Sequence, residues 1–88
     1  MKFEKQHPSE QELETLGVNR WSIWKKEISE FAWTYDNTET FFVLEGEAEI
    51  VSEGDKVSFG PGDLVTCHSG VHCTWKITKP IKKHYQFE

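Results

Sequence analysis

Residues 33–46 read Trp33-Thr34-Tyr35-Asp36-Asn37-Thr38-Glu39-Thr40-Phe41-Phe42-Val43-Leu44-Glu45-Gly46, and residues 60–75 read Gly60-Pro61-Gly62-Asp63-Leu64-Val65-Thr66-Cys67-His68-Ser69-Gly70-Val71-His72-Cys73-Thr74-Trp75. Phe31, Trp33 and Tyr35 alternate with Ala32 and Thr34. A period of two places those three aromatics on one face of a strand. The same alternation puts Cys73, Trp75 and Ile77 on one face and sends His72 and Lys76 to the other. The glycine-rich stretches fall where short strands have to turn back. The Trp, Tyr, Glu and Cys positions fall where side chains point into the enclosed space. These two stretches set the fold as all-β.

Reading outward, the C-terminal part divides into strands at Thr40–Glu45, Glu47–Ser52, Lys56–Phe59, Leu64–His68, His72–Thr78 and Ile81–Phe87. Glu45-Gly46 and Glu53-Gly54 read as turns, as do Gly60-Pro61-Gly62-Asp63 and Ser69-Gly70. On the returning strand Ala48 and Ile50 are expected inward, with Glu47 and Glu49 outward. Residues 20–27, holding Trp21, Ile23 and Trp24, form a further strand. Seven or eight short strands with turns every few residues indicate a sandwich or small barrel. At the N-terminal side, Ser9 followed by Glu12 is a capping-box pattern and Gly17 a C-terminal stop. These bracket a helix of about two turns at residues 9–16, too short to stand without packing on the rest.

Eighty-eight residues make one domain, with the barrel over about residues 20–87. A chain of this length buries only about 60% of its unfolded surface. Four Trp and six Phe add apolar area, and we expect a homodimer to add more. Trp21 and Trp24 point to opposite faces, so that one serves the core and the other faces outward. The net charge of −5 speaks against a nucleic-acid partner, which would need a surplus of Lys and Arg on one face. Lys76, Lys79, Lys82 and Lys83 read as a solvated edge that discourages strand pairing. There is no apolar run of signal-peptide or bilayer length, so a cytoplasmic location and no membrane partner are expected. Cys67 and Cys73 are then free thiols.

The quoted stretches resemble the cupin family, whose fold is a double-stranded β-helix, or jelly-roll, barrel. Glu39 and Gly46 match the closing positions of the first cupin motif with the right spacing, and Gly62-Asp63 opens the second. Where the family has two histidines, this chain has Trp33 and Tyr35; where it has the second-motif histidine, this chain has Cys73. Nearly the whole chain is similar to a subgroup of small single-domain cupins of the (S)-ureidoglycine aminohydrolase type. The pieces that carry that likeness include Trp24, Phe31 to Tyr35, Glu39 to Gly46, Cys73-Thr74-Trp75 and Lys79 to Tyr85. The resemblance implies a fold and the place of a pocket.

Trp33, Tyr35, Glu39, Phe41, Cys73 and Trp75 are the expected ligand-binding residues. Enclosure among aromatic rings makes Glu39 a candidate general acid or base. The alternative is a structural carboxylate satisfied by Tyr35 or backbone amides. Cys73 is the second catalytic candidate, but His72 lies on the opposite face and a small buried hydrophobe is the simpler reading. No metal and no cofactor are expected: Glu39 with Cys73, His68 or His72 makes a poor ligand set, and His7 and His84 have no partner in spacing. The aromatics can equally be barrel filling. Three readings follow. The first is a metal-free binding module for a small polar organic molecule. The second is an enzyme of the ureidoglycine aminohydrolase-like class with Glu39 as acid/base, and the third is a structural homodimer with a filled barrel.

Overall fold

A computed structural model describes residues 2–88. Two long strands organise it, β4 (Glu39–Ser52) and β7 (His72–Phe87), paired antiparallel over nearly their whole length. Each half of this ribbon carries its own side strands. The first half of β4 pairs with β6 (Leu64–Cys67), which pairs with β1 (Phe3–Gln6), while the second half of β7 pairs with β2 (Ser22–Lys26). Beyond the midpoint, β4 pairs with β5 (Asp55–Phe59) and β7 with β3 (Ser29–Thr34). The two halves fold over a shared core: Phe41 of one meets Phe59 and Trp75 of the other at ring-centroid distances of 5.0 and 5.5 Å.

The ribbon bends at Gly46, where the sequence suggested a turn between two strands. Instead β4 continues through the bend as one strand, with a register irregularity between Val43 and Ala48. The inward residues before it are Glu39, Phe41 and Val43, and those after it are Ala48, Ile50 and Ser52. Val43 and Ala48 are an odd number of residues apart, so a regular strand would turn one set outward; a bulge restores both to the core. Gly46 has φ +93°, and a Cβ there would lie 2.1 Å from the Pro80 carbonyl oxygen. Pro80 lacks the N–H of a regular ladder position and sits opposite this irregularity. The pairs read as Thr40–Glu45 with Glu47–Ser52, and as His72–Thr78 with Ile81–Phe87, are therefore one strand each. A hairpin at Gly46 would have discarded the pairing that β7 supplies on both sides of Pro80.

The helix α1 spans Glu10–Leu16 with the expected capping box. The Ser9 hydroxyl accepts from the Glu12 N–H at 3.2 Å, Glu12 accepts from the Ser9 N–H at 3.0 Å, and Gly17 closes it at φ 72°. None of its residues is buried. It meets chiefly the 3-10 turn Val18–Arg20 that follows, rather than lying on the barrel wall. The caps hold this helix, since it buries no apolar face against the barrel. The barrel also begins before residue 20. Phe3–Gln6 pairs with β6, and Phe3 is buried among the core residues. No helix among the described residues is long and apolar enough to cross a membrane.

Gly46→Ala should destabilise the protein by roughly 2–4 kcal/mol in urea unfolding, since it combines a left-handed φ with a backbone clash. Gly54→Ala, at φ +75° with open space around it, should cost about 1 kcal/mol. Equal effects would show that the approach of Pro80 to Gly46 is not what bends the ribbon.

Candidate functional site

Alternation along β7 brings Cys73, Trp75 and Ile77 inward, and beyond Pro80 it brings in Ile81 and Lys83. Lys83 thus leaves the solvated lysine group to which the sequence assigned it. Its side chain is 5% exposed, and Nζ donates to Glu39 Oε2 at 2.8 Å, with the glutamate side chain also 5% exposed. The carboxylate is therefore satisfied by a buried lysine, not by Tyr35 or backbone amides. Both residues lie on the inner face of the β4–β7 ladder, Glu39 opposite Phe87 and Lys83 opposite Val43, and the long lysine side chain passes over Phe41 to reach the carboxylate. Lys82, Lys79 and Lys76 remain partly or well exposed, and Lys82 and Lys79 meet Glu45 and Glu47.

Four rings surround the ammonium. Nζ lies 4.1 Å from the Phe41 centroid, 4.6 Å from Trp75, 4.9 Å from Trp24 and 5.9 Å from Tyr85. Such faces attract a cation through the ring quadrupole, most strongly where water is excluded. Burial lowers the proton affinity of Lys83 below that of an ordinary lysine, and the Glu39 carboxylate pulls the other way.

Beside this pair opens a cavity of about 230 Å³ lined by Trp24, Phe31, Trp33, Tyr35, Glu39, Trp75, Lys83, Tyr85 and Phe87. Of the residues chosen from the sequence, Trp33, Tyr35, Glu39 and Trp75 line it. Trp33 does so as a half-exposed residue, edge-on to Tyr35 at 6.5 Å. Phe41 and Cys73 do not. Phe41 is fully buried beneath Lys83, and the Cys73 thiol donates to the Trp33 carbonyl at 3.4 Å. Trp24, Phe31, Lys83, Tyr85 and Phe87 line the cavity without having been chosen from the sequence. For Lys83 the signal was present, in the step of two from Ile81.

Tyr35 is almost fully buried, and its hydroxyl accepts from the Trp75 indole N–H at 3.1 Å. Burial, with the neighbouring Glu39 and Cys67, holds its phenol well above the ordinary range. The Cys67 thiol is pushed up to about 12, chiefly by burial, with the Tyr35 hydrogen bond opposing. Burial and then Glu39 also raise Cys73. Both cysteines are unbonded thiols, and neither is held as the thiolate that nucleophilic attack requires.

A cupin barrel implies a metal, and the residues here do not suit one. Two aromatics and a protonated thiol stand at three of the family's ligand positions, and the Lys83 ammonium already neutralises Glu39. The histidines lie elsewhere. His68 pairs with Glu4, His72 with Thr34 at 3.0 Å, His7 with Asp63 at 3.3 Å, and His84 meets the Trp21 carbonyl at 3.0 Å. Among the described residues, no three His, Cys, Asp or Glu side chains come together as a metal site.

Jelly-roll topology around one inward acid defines a small cupin. Residues 13–85 match the model of the EutQ-like cupin domain, and the chain belongs to that family. A DUF861-family protein from Thermotoga maritima is 41% identical, with 98% of this chain and 99% of that one covered at a TM-score of 0.95. The Clostridium difficile EutQ protein is 23% identical over 74% of this chain and 52% of its own, with a TM-score of 0.69. A cupin superfamily protein from Desulfitobacterium hafniense is 12% identical, covering 94% and 73% at 0.62. These last two likenesses carry the fold alone. No curated protein matches the chain.

Two predictions follow from the buried groups. Glu39→Gln or Lys83→Met alone strands a charge and should cost roughly 3–5 kcal/mol, whereas the double change should recover most of that loss. Additive losses in urea titrations would show that the two side chains do not interact. Stability should also fall as pH rises from 9.0 towards about 12, because the unfolded Cys67 thiol ionises in that window while the folded one keeps its proton. Tyr35 acts in the same direction above its ordinary 10.0, and Lys83 in the opposite direction below its ordinary 10.5. Cys67→Ala should flatten the decline between pH 9.0 and about 12; an unchanged slope would assign it elsewhere.

Proposed function

We propose that this chain is a binding module of the cupin fold that takes a small polar organic molecule, without a metal, in the cavity beside Glu39 and Lys83. The observation that carries this reading is an aromatic-walled opening that ends on a buried ion pair. The space of about 230 Å³ equals roughly seven or eight water volumes and lies below the roughly 300 Å³ at which drug-sized pockets begin. It suits a compact metabolite. Flat apolar faces would pack on Trp33, Phe31 and Tyr85, while one polar end meets the remaining hydrogen-bonding capacity of Glu39 and Lys83. A hydroxyl or amine would donate to the carboxylate, and a carbonyl oxygen would accept from the ammonium.

The cavity speaks against a barrel filled for structure alone. Glu39 as a lone acid/base of the ureidoglycine aminohydrolase-like kind is disfavoured because its carboxylate is paired with Lys83, so the two groups act together. In this reading the lysine takes the place of the metal as the inner cation.

The test is a thermal-shift screen of small carbonyl compounds, hydroxy acids, amines and sugars, followed by calorimetry on each hit. A ligand at a hundredfold its Kd should stabilise the protein by about 2.7 kcal/mol. Trp33→Ala removes an exposed wall of the cavity and should weaken binding at little cost to the fold. Glu39→Gln/Lys83→Met should abolish it. Hits that bind both variants as tightly as the parent would place the site elsewhere and end the proposal.

A further inference from the structure

Lys83 has features that a structural counter-ion does not need. A positive charge paired with Glu39 could be supplied at the barrel rim by any lysine with water around it. Here the amine is carried into an aromatic cage, has Glu39 Oε2 as its one side-chain acceptor, and borders a cavity open to a small molecule. A lysine desolvated by apolar walls next to a proton acceptor is how an amine becomes a nucleophile toward carbonyl compounds. We propose that Lys83 captures small aldehydes in the barrel cavity as a reversible covalent iminium, with Glu39 carrying the protons. This rests on the binding reading above and names its substrate class.

The step balances with no further reactant. Nζ passes a proton to Glu39 Oε2, 2.8 Å away, and its freed electron pair forms a bond to the aldehyde carbon. The carbonyl π pair moves to oxygen, which takes the proton from Glu39. The carboxylate then removes a second proton from nitrogen. The nitrogen pair closes the C=N bond, the C–O bond breaks, and the hydroxyl leaves as water with the proton that Glu39 returns. Lysine ammonium plus aldehyde has become iminium plus water, and the carboxylate ends as it began. The cationic product stays where the rings of Phe41, Trp75 and Trp24 already hold a cation, and it remains paired with Glu39. Burial that weakens the hold of Lys83 on its proton favours the first transfer. The exposed lysines have neither the cage nor the inward carboxylate.

The aldehyde fits better than other carbonyl classes. A carboxylic acid would place a second anion beside Glu39 with one cation between them. A ketone has two substituents to seat within about 230 Å³, whereas an aldehyde has one, aimed along the cavity toward Trp33.

The experiment treats the folded protein at neutral pH with propionaldehyde and cyanoborohydride, then maps modified lysines by peptide mass spectrometry against time. Lys83 should be alkylated about tenfold faster than exposed residues such as Lys25. The preference should vanish when the same reaction is run in denaturing urea. Labelling of Lys83 no faster than Lys25 in the folded protein would overturn the proposal. If Lys83 stays unmodified while propionaldehyde raises the melting temperature of the parent but not of Glu39→Gln/Lys83→Met, covalent capture is wrong and the binding reading stands. If Lys83 stays unmodified and no compound of the screen shifts the melting temperature, both fall.

Discussion

The contact between Lys83 Nζ and Glu39 Oε2 at 2.8 Å is the constraint around which the rest of the barrel is arranged. Two charges in the interior of a domain this small carry a desolvation cost of several kcal/mol per ion, which only close geometry and favourable surroundings offset. The surroundings are specific. Phe41 closes beneath the ammonium, Trp24 and Trp75 flank it, and Tyr85 completes the enclosure. Trp75 in turn donates its indole N–H to Tyr35, so the one buried phenol is satisfied by the same wall. Substituting any one of these groups changes the environment of the others, because they share one small volume.

That cluster can form only because β4 and β7 keep an inward face on both sides of their bend. Glu39 and Phe41 lie before the irregularity on β4, and Lys83 lies after Pro80 on β7. Trp75 comes from the opposite half of the ribbon. Gly46 is the residue that lets the two halves close: with φ +93° and the Pro80 carbonyl against it, the position has room for no side chain. The cage walls thus come from both sides of the bend, and the glycine that permits it lies outside the lining of the cavity.

Much of the architecture was legible because the period-two pattern is strong. Phe31 to Tyr35 and Cys73 to Ile77 declared their faces, and the capping box at Ser9 and Glu12 declared the helix. Four of the six ligand-binding residues chosen from the sequence do line the cavity. Three things were hidden, each for a physical reason. The glycine at 46 looks like a hairpin turn because a left-handed residue serves both a turn and a bulge; only the partner strand distinguishes them. Lys83 looked like one more member of a solvated run because lysines are almost never buried unpaired, and its partner lies 44 residues away. Reading the alternation onward from Ile81 would have placed it inward, and Glu39 would then have had its counter-charge. The first strand, Phe3–Gln6, escaped because its pattern is one inward phenylalanine followed by polar residues, typical of an edge.

The strand order has a further consequence, in time rather than in space. β7 is synthesised after β1 to β6, yet it is the ladder partner of β2, β3 and β4. Until residues 72–87 have left the ribosome, β2 and β3 have no ladder partner and Glu39 has no counter-charge. Pairings so distant in sequence form slowly. The nascent barrel is thus held open until residues 72–87 arrive, and the lysine that neutralises Glu39 comes with the strand that closes the ladder.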